Sequence, residues 1–434
     1  MAQKQNNPVL VVTNPLHYAY YSLSHNLPAI GSFSGLVADS GSELGFAGNI
    51  RLYDVPNNVD ALIEAHISDD GHNSQYITWK PPIKPHSILG NLAKLAHDLE
   101  RKSVIRSLLP KELFPPFKIV APEDLNNLEF EMITQELKAE SLVVQIDFST
   151  GGKGTFFVAN KSQLDALKLQ LKAAQQSIVI SKRINGTSRG LQVLAAKEQV
   201  SSTAWWHQDL LNIHGVYNHK AQSASRYCGA VLENIPDKYQ HKISNLITQV
   251  GSKMLEQGYF GVFGIDIVVD EESGQVYLIE VNPRFTAVSH LYASAMRATG
   301  YRTDFLTCHV KGLVGTVDPE ILELSVMRSL PGSYYYLKIQ NTLNQDVKLN
   351  PDCRLGIYDE KGTYQKFGFG IDALGSDQQI VVIPEVSHSH VIVPGRRAFS
   401  LIGRGNPLTA NNQLSDKIVS RINQLQAQFL ETIG

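Results

Sequence analysis

Cysteine is scarce in this chain. Three occur in 434 residues, Cys228, Cys308 and Cys353, far apart and with no CxxC pair. That spacing gives no disulfide framework and no thiolate zinc site, and it fits a reducing compartment. Neither sign of charge is in excess: Lys plus Arg total 39 and Asp plus Glu 41, a net of -2. Nothing therefore draws the chain to nucleic acid or to an anionic membrane. Long apolar runs are also missing, and no window nears the ~20 residues of a spanning helix. The opening MAQKQNNPVLVV has too short an apolar run to read as a signal peptide. There is no internal repeat and no low-complexity tract. What remains is 43% hydrophobic and 18% charged, the composition of a soluble globular protein with a cytoplasmic location as the expectation. The length allows two or three domains, each able to bury a core.

Along the chain, Val9–Thr13, Ile50–Val55 and Tyr76–Trp79 are short strand-like runs. The segments between them alternate in a way that predicts an α/β domain with a parallel sheet over residues 1–110. No GxGxxG follows the first strand, which argues against a dinucleotide site. Apolar spacing predicts a helix over Ser87–Leu109, stopped by Pro110. Phe114–Phe117 reads as a rigid loop. Leu142–Phe148 and Phe156–Ala159 read as strands joined by a Gly-rich tip, Ser149–Thr155. A helix is predicted over Ser162–Gln175, capped by Ser162 with Asp165. Strands follow at Ile178–Ile180, Leu191–Ala196 and Ser202–His207, then a helix over Asp237–Gln257 ended by Gly258. Beyond about residue 325 the runs Tyr334–Ile339, Cys353–Tyr358, Gln379–Ile383 and His390–Val393 predict a β-rich region, 326–434. It closes on a helix, Ser415–Ile433. The middle, 111–325, forms a core of its own.

The most informative stretch is FGIDIVVDEESGQVYLIEVNPRFTA, Phe263–Ala287. Two apolar runs flank the polar turn Asp270–Gly274, the pattern of a β-hairpin. Each run carries an acid that its strand pattern does not need, Asp266 and Glu280. An unpaired charge inside an apolar run costs several kcal/mol, of order, so a solvated-acid reading is poor. Glu280 and Asn282 are i and i+2 and share a strand face. With Asp266 across the hairpin, three oxygen-bearing side chains converge, as a hard cation requires. Arg284 extends the same face and suits a phosphate or carboxylate.

The order of features resembles the ATP-grasp superfamily over roughly residues 90–300. A Lys-bearing helix comes first, then a Gly-rich hairpin, a hinge with Asn-Gly, and the closing D…E-x-N-x-R hairpin. The expected fold class is therefore α/β (α+β), an ATP-grasp fold with an N-terminal parallel-sheet domain and a β-rich C-terminal region. The resemblance implies that Asp266, Glu280 and Asn282 are ligands for Mg²⁺ on ATP, with Mn²⁺ also fitting. Arg284 would meet the transferred phosphate. Thr150, Gly151, Gly152, Lys153 and Gly154 would form the mobile loop over the phosphates, Lys153 serving catalysis. Lys102, with Arg106 a turn later, would reach the α-phosphate side. Ser181, Lys182 and Ile184 would hold the adenine edge. Three positions depart from the family pattern. Gln145 stands where a Lys is usual, Ser181 where the hinge acid is, and Ser188 where a ribose-binding Glu is.

Family membership implies an ATP-dependent carboxylate–amine ligase acting through an acyl phosphate on small carboxylate and amine substrates, with a homodimer left open. Two other readings stand beside it. One is a carboxylase acting on bicarbonate and biotin, for which no carrier segment is present. The other is a degenerate ATP-binding protein that uses nucleotide only to set conformation, which Gln145, Ser181 and Ser188 favour. His207, His214 and His290 are candidates for a general base by position alone. Trp205, Trp206 and His207 read equally as a pocket wall or a core pair. Arg226 reads as a surface ion pair or a substrate contact. His388 and His390 lack a third metal partner and read as an edge strand.

Overall fold

A computed structural model describes residues 9–12, 29–31, 50–52, 63–64 and 76–78 of the N-terminal part. It also describes 93–433 except 150–153, 197–198, 212, 214–215, 217–226, 306–307, 310–327 and 387. The first four strands are β1 (Val9–Val12), β2 (Ala29–Gly31), β3 (Ile50–Leu52) and β4 (Tyr76–Thr78). They pair in parallel in the order β3-β2-β1-β4, as the alternating N-terminal pattern predicts.

The helix expected over 87–109 is two helices, α1 (Ala93–Glu100) and α2 (Lys102–Leu108). Arg101 between them is extended, with φ -72° and ψ 126°. The break has a clear cause. The carboxylate of Asp147, fully buried, accepts from the Ser103 N–H at 2.7 Å. The Asp147 carbonyl accepts from the Lys102 N–H at 3.0 Å. An acid at a helix start satisfies N–H groups that have no helical partner, so α2 begins anew there.

Next come β5 (Phe117–Val120), α3 (Phe130–Leu137), β6 (Leu142–Ile146), β7 (Thr155–Val158), α4 (Lys161–Ala174) and β8 (Ile178–Lys182). The strands form an antiparallel sheet in the order β5-β8-β6-β7. The helices bury Ile133, Leu137, Leu164 and Leu171 against Leu142, Val144 and Ile180. Phe117, read as part of a loop, opens a strand because it pairs with Ser181. The cap of α4 is also different from the expected one. Asn160 accepts from the Gln163 N–H at 3.0 Å, and Gln163 Oε1 accepts from the Ala159 N–H at 2.7 Å. Asp165 instead pairs with Lys161 and Lys168 on the surface.

The large sheet contains β9 (Gly186–Ala196), β10 (Gln199–Ser202), β11 (Trp205–Leu211) and β12 (Tyr227–Asn234). Helix α5 (Asp237–Glu256) leads to β13 (Gly261–Asp270) and β14 (Val276–Asn282), the predicted hairpin, and then to α6 (Ser289–Ala298). The C-terminal part adds β15 (Tyr334–Gln340), β16 (Val347–Leu349), β17 (Gly356–Tyr358), β18 (Tyr364–Lys366), β19 (Ile380–Pro384) and β20 (Arg397–Arg404). It ends with α7 (Asp416–Phe429) and β21 (Leu430–Thr432). Strand order runs β14-β13-β9-β11-β12-β15-β20-β19-β17-β18, with β10 beside β9. One sheet thus continues from the hairpin into the C-terminal region. The expected strand His390–Val393 contributes only an isolated bridge, Val347 with Ile392.

Each face of this sheet carries a core. α5 lays Ile243, Leu246, Ile247, Val250 and Met254 on one face, with Ile265 and Leu278. At about 2 kcal/mol per buried side chain that stripe contributes up to roughly 10 kcal/mol. α6 covers the other face with Leu291, Tyr292 and Met296. Gly229 joins the two halves: its φ is +146°, and a Cβ there would lie 1.9 Å from the Tyr336 carbonyl oxygen. No helix among the described residues is long and apolar enough to cross a membrane. All three cysteines are buried.

Candidate active site

The ladder between β13 and β14 places Asp266 directly opposite Glu280 and Gly264 opposite Asn282. A bulge follows Asp266 and re-aims the strand locally. Asn282 Nδ2 donates to Asp266 Oδ2 at 3.0 Å. Lys102, at the first position of α2, reaches across with Nζ 3.1 Å from Glu280 Oε2. Three of the expected site residues and the helix lysine therefore meet in one cluster.

Its electrostatics follow from depth and like charge. Burial, and then the neighbouring Glu280, hold Asp266 well above the usual carboxylate range. Burial is the largest single influence on Glu280 and pushes it up, but Lys102, the contact with Asp266 and Arg284 together leave it below its ordinary value. The arrangement is one carboxylate held charged by an ammonium and a second held neutral beside it. Among the described residues no three His, Cys, Asp or Glu side chains gather into a metal cage. Two facing carboxylates with an amide fit Mg²⁺ nonetheless, because that ion takes few protein ligands and completes its shell with water and phosphate oxygens.

Arg284 lies beside this cluster. Its Nε and Nη2 both donate to Glu100 Oε1, at 3.0 and 2.7 Å, and Nη2 donates to Asn282 Oδ1 at 3.0 Å. Glu100 is the last residue of α1 and is buried. So the break between α1 and α2 puts Glu100 and Lys102 on either side of the hairpin's polar face. Arg101 at the break pairs with Asp147, Nη2 to Oδ2 at 2.7 Å. Neither Glu100 nor Asp147 stands out in the sequence, where each lies in an ordinary mixed stretch.

Thr150, Gly151, Gly152 and Lys153 lie outside the described residues, as do His214 and Arg226. The neck of their loop is closed: the Ile146 N–H donates to the Gly154 carbonyl at 2.8 Å. Gln145 is buried at the root of this loop. It accepts from Arg106 Nη2 at 3.4 Å and donates to Thr155 Oγ1 at 3.4 Å. Arg106 is itself buried over the rings of Phe114 and Phe117, 5.0 and 5.5 Å from their centroids. Burial lowers its pKa to about 10, still charged at neutral pH. The position where a family lysine is expected thus holds a neutral amide backed by a guanidinium.

At the hinge, Ser181 is buried in β8 between Phe117 and Val143. The Lys182 and Arg183 N–H groups donate to the Pro116 and Ser141 carbonyls, at 2.8 and 3.0 Å. Ile184 lies between β8 and β9, and its N–H has no main-chain partner among the described residues. It lies away from the Asp266–Glu280–Lys102 cluster, on the connection between the two sheets.

Trp205 and Trp206 are successive strand residues and enter different cores, so they do not form one pocket wall. His207 is buried with Nδ1 3.1 Å from Tyr292 Oη. Its ring lies flat against Gly190, where a Cβ would come within 2.2 Å of Cε1. Burial, with Arg189 nearby, takes His207 down to about 3, so the ring is neutral. His290 packs edge-on to Tyr336 at 4.7 Å. His388 lies 3.2 Å from the Cys353 carbonyl and not on a strand.

Two polar residues on the sheet face of Asp266 went unread in the sequence. Asp209 lies one residue pair beyond His207 on β11, and burial followed by Glu280 raises it to about 7. Lys338 lies on β15, and burial lowers it to about 7. The signal was present for both: a charge sits inside the apolar runs WWHQDLL and YYYLKIQ.

A small antiparallel sheet bearing the Gly-rich hairpin and a large sheet bearing the acidic hairpin make up the core of the fold. Residues 111–288 match the model of the ATP-grasp domain, and the chain has the ATP-grasp fold. Solved structures similar along nearly the whole chain agree. The biotin carboxylase domain of Hydrogenobacter thermophilus 2-oxoglutarate carboxylase, described as a dimer with MgADP, ADP and bicarbonate, has a TM-score of 0.64 at 12% identity. That match covers 99% of this chain and 92% of that one. Phosphoribosylamine–glycine ligase from Thermotoga maritima gives 0.62 at 12% identity, covering 98% and 97%. The L-amino acid ligase from Bacillus licheniformis gives 0.59 at 12% identity, covering 99% of both chains.

Proposed function

We propose that the chain is an ATP-dependent ligase joining a carboxylate to an amine through an acyl phosphate. The supporting observation is the cluster of Asp266, Glu280, Asn282 and Lys102 on a hairpin of an ATP-grasp domain. In the first step a substrate carboxylate oxygen bonds to the γ-phosphorus of ATP, and the bond from that phosphorus to the β-bridging oxygen breaks, releasing ADP. In the second the amine bonds to the acyl carbon, the bond from that carbon to the phosphate oxygen breaks, and inorganic phosphate leaves. The proton shed by nitrogen goes to solvent. The carboxylate alone would have to expel oxide, which is why it must be phosphorylated first.

The roles follow from placement. Asp266, Glu280 and Asn282 would hold Mg²⁺, which supplies neutralisation of phosphate charge during transfer. Lys102 holds Glu280 ionised, ready as a ligand. Arg284, oriented by Glu100 and Asn282, presents a fixed guanidinium at the same face. Thr150, Gly151, Gly152, Lys153 and Gly154 would cover the phosphates and exclude water. Arg106, behind Gln145, supplies positive charge at the loop root. Lys182 and Ile184 would offer main-chain groups to adenine, beside Ser181. The N-terminal 1–110, the core 111–325 and the C-terminal 326–434 would work as three units of one enzyme.

The test is release of phosphate and ADP from ATP and Mg²⁺ in the presence of pooled amino acids. Substrate-dependent release is expected, and Glu280→Gln should lower it at least about a hundredfold while the protein stays folded. Tight nucleotide binding with no turnover on any pool would sink the ligase reading.

A further inference from the structure

The acidic hairpin is one end of a longer polar track on the same sheet face. From Asp266 on β13, the track passes Gly190 on β9 and His207 and Asp209 on β11, and reaches Lys338 on β15. Lys338 is only 7% exposed. Its ammonium lies 4.4 Å from the centre of the Tyr227 ring and 5.7 Å from that of Tyr336. No carboxylate lies within 4 Å of it among the described residues. The nearby Glu385 is already engaged, accepting from Ser400 Oγ at 2.6 Å and lying 3.9 Å from Arg397. The Tyr227 hydroxyl is buried and has no hydrogen-bond partner among the described residues. At the other end, among the described residues, the Asp209 carboxylate has one ionisable partner within 4 Å, His207 Nε2 at 3.6 Å, and its side chain is 35% exposed.

Buried polar groups are ordinarily paired, and a cation facing only rings is a site built for something that arrives later. Ring faces attract a cation but leave its hydrogens without acceptors. We propose that Lys338, Tyr227 and Asp209 seat the amine-bearing substrate, and that this substrate is itself a carboxylic acid: an amino acid or short amino-acid-like zwitterion. Its carboxylate accepts from Lys338 and from the Tyr227 hydroxyl. Its ammonium faces Asp209. Orientation follows from strand order, because a single strand, β9, separates Asp209 from Asp266, and three separate Lys338 from it. The amino end therefore points toward the phosphoryl site and the carboxyl end away. A simple amine would leave Lys338 uncompensated, and a simple acid would leave Asp209 so. The assignment rests on the ligase reading for the direction of reaction but not for binding.

The experiment compares wild type with Lys338→Met and Lys338→Arg, using ATP, Mg²⁺ and each common L-amino acid beside its C-terminal amide. The wild type should prefer acid over amide by about tenfold or more in kcat/KM, since a site built to pair a group rejects the analogue lacking it. Lys338→Met should raise KM for the acid roughly tenfold or more and so remove the preference for acid over amide. Lys338→Arg should recover part of the loss, and Asp209→Asn should weaken both acid and amide. Equal use of acid and amide by the wild type, or an unaltered KM in Lys338→Met, overturns the assignment while the ligase reading stands. A second measurement works without turnover: the melting temperature with a non-hydrolysable ATP analogue and the same amino acids and amides. Stabilisation by acids in the wild type that is lost in Lys338→Met supports the seat even if no ligation occurs. No stabilisation by any amino acid, with no turnover, overturns it.

Discussion

At the scale of single residues, Lys338 opposes stability. The unfolded amine keeps its proton up to its ordinary pKa of 10.5, whereas the buried one releases it near 7. Between those values unfolding takes up a proton, so the residue's contribution to stability improves as pH rises and is worst below about 7. Lys338→Met should therefore be more stable than wild type at pH 7, by roughly 2–4 kcal/mol. The difference should shrink steadily toward pH 10.5. Urea unfolding of both proteins across that range measures it, and a pH-independent difference would remove burial of the charge as its cause. Gln145 has the opposite logic. Gln145→Lys, which restores the residue expected at that position, would set an ammonium beside the buried Arg106. A loss of roughly 2–4 kcal/mol is expected from like-charge repulsion at that depth. A neutral or stabilising result would show that Arg106 turns away.

At the scale of elements, the helix break at Arg101 fixes the site. Asp147 accepts the Ser103 N–H and the Arg101 guanidinium, and so sets where α2 begins and where Lys102 points. Asp147→Ala should cost about 2–4 kcal/mol, the sum of a lost cap and an unpaired guanidinium. It should also raise the ATP concentration needed for half-maximal binding, because Lys102 and Glu280 lose their register. Thermal melting and nucleotide titration test the two halves separately. This break was not legible in the sequence. Apolar residues recur at helical spacing at Leu95 and Leu99 and again at Ile105 and Leu108, the six-residue step between them does not by itself end a helix, and the capping acid comes from a residue some forty positions downstream. The acidic hairpin was legible for the converse reason. Its acids, its turn and its strand alternation are all local, although a plain count across the turn sets Asp266 opposite Ile279, and it is the bulge after Asp266 that brings Glu280 into register. The Asn160 cap was local too, but Ser162 with Asp165 offered a competing pattern one turn inside the helix.

At the scale of the whole molecule, β12 pairs with β15 and β15 with β20, so the region after 326 completes the sheet that holds the site. Strands β15, β17 and β19 were legible as apolar runs, whereas β12 was not, because it joins the C-terminal part through β15, about a hundred residues away. Tertiary pairing there overrides local propensity. Asp209 and Lys338 each sit as a charge inside an apolar run, but that they share one sheet face is visible only once β11 and β15 lie two strands apart. A chain truncated at residue 326 should expose the open edge of β12 and the apolar faces of Val231 and Leu232, and should aggregate. Gel filtration of the truncated and full chains compares them; a soluble, nucleotide-binding truncate would show that the two halves fold independently. Gly229→Ala attacks the same seam by placing a Cβ against the Tyr336 carbonyl. A loss of several kcal/mol, of order, is expected from the steric clash and the unfavourable φ.

That seam also turns the sheet into a gauge. Successive strands are spaced about 4.8 Å apart, and the hydrogen-bonded ladder between β13 and β15 cannot stretch. The interval from Asp266 to Lys338 is therefore counted in strands, like notches on a rule. Lengthening the loops at the strand ends would leave that interval as it is. A variant that accepts a longer or shorter substrate must come from side chains standing on β11, β12 and β15, and the length at which acceptance stops would read out the rule directly.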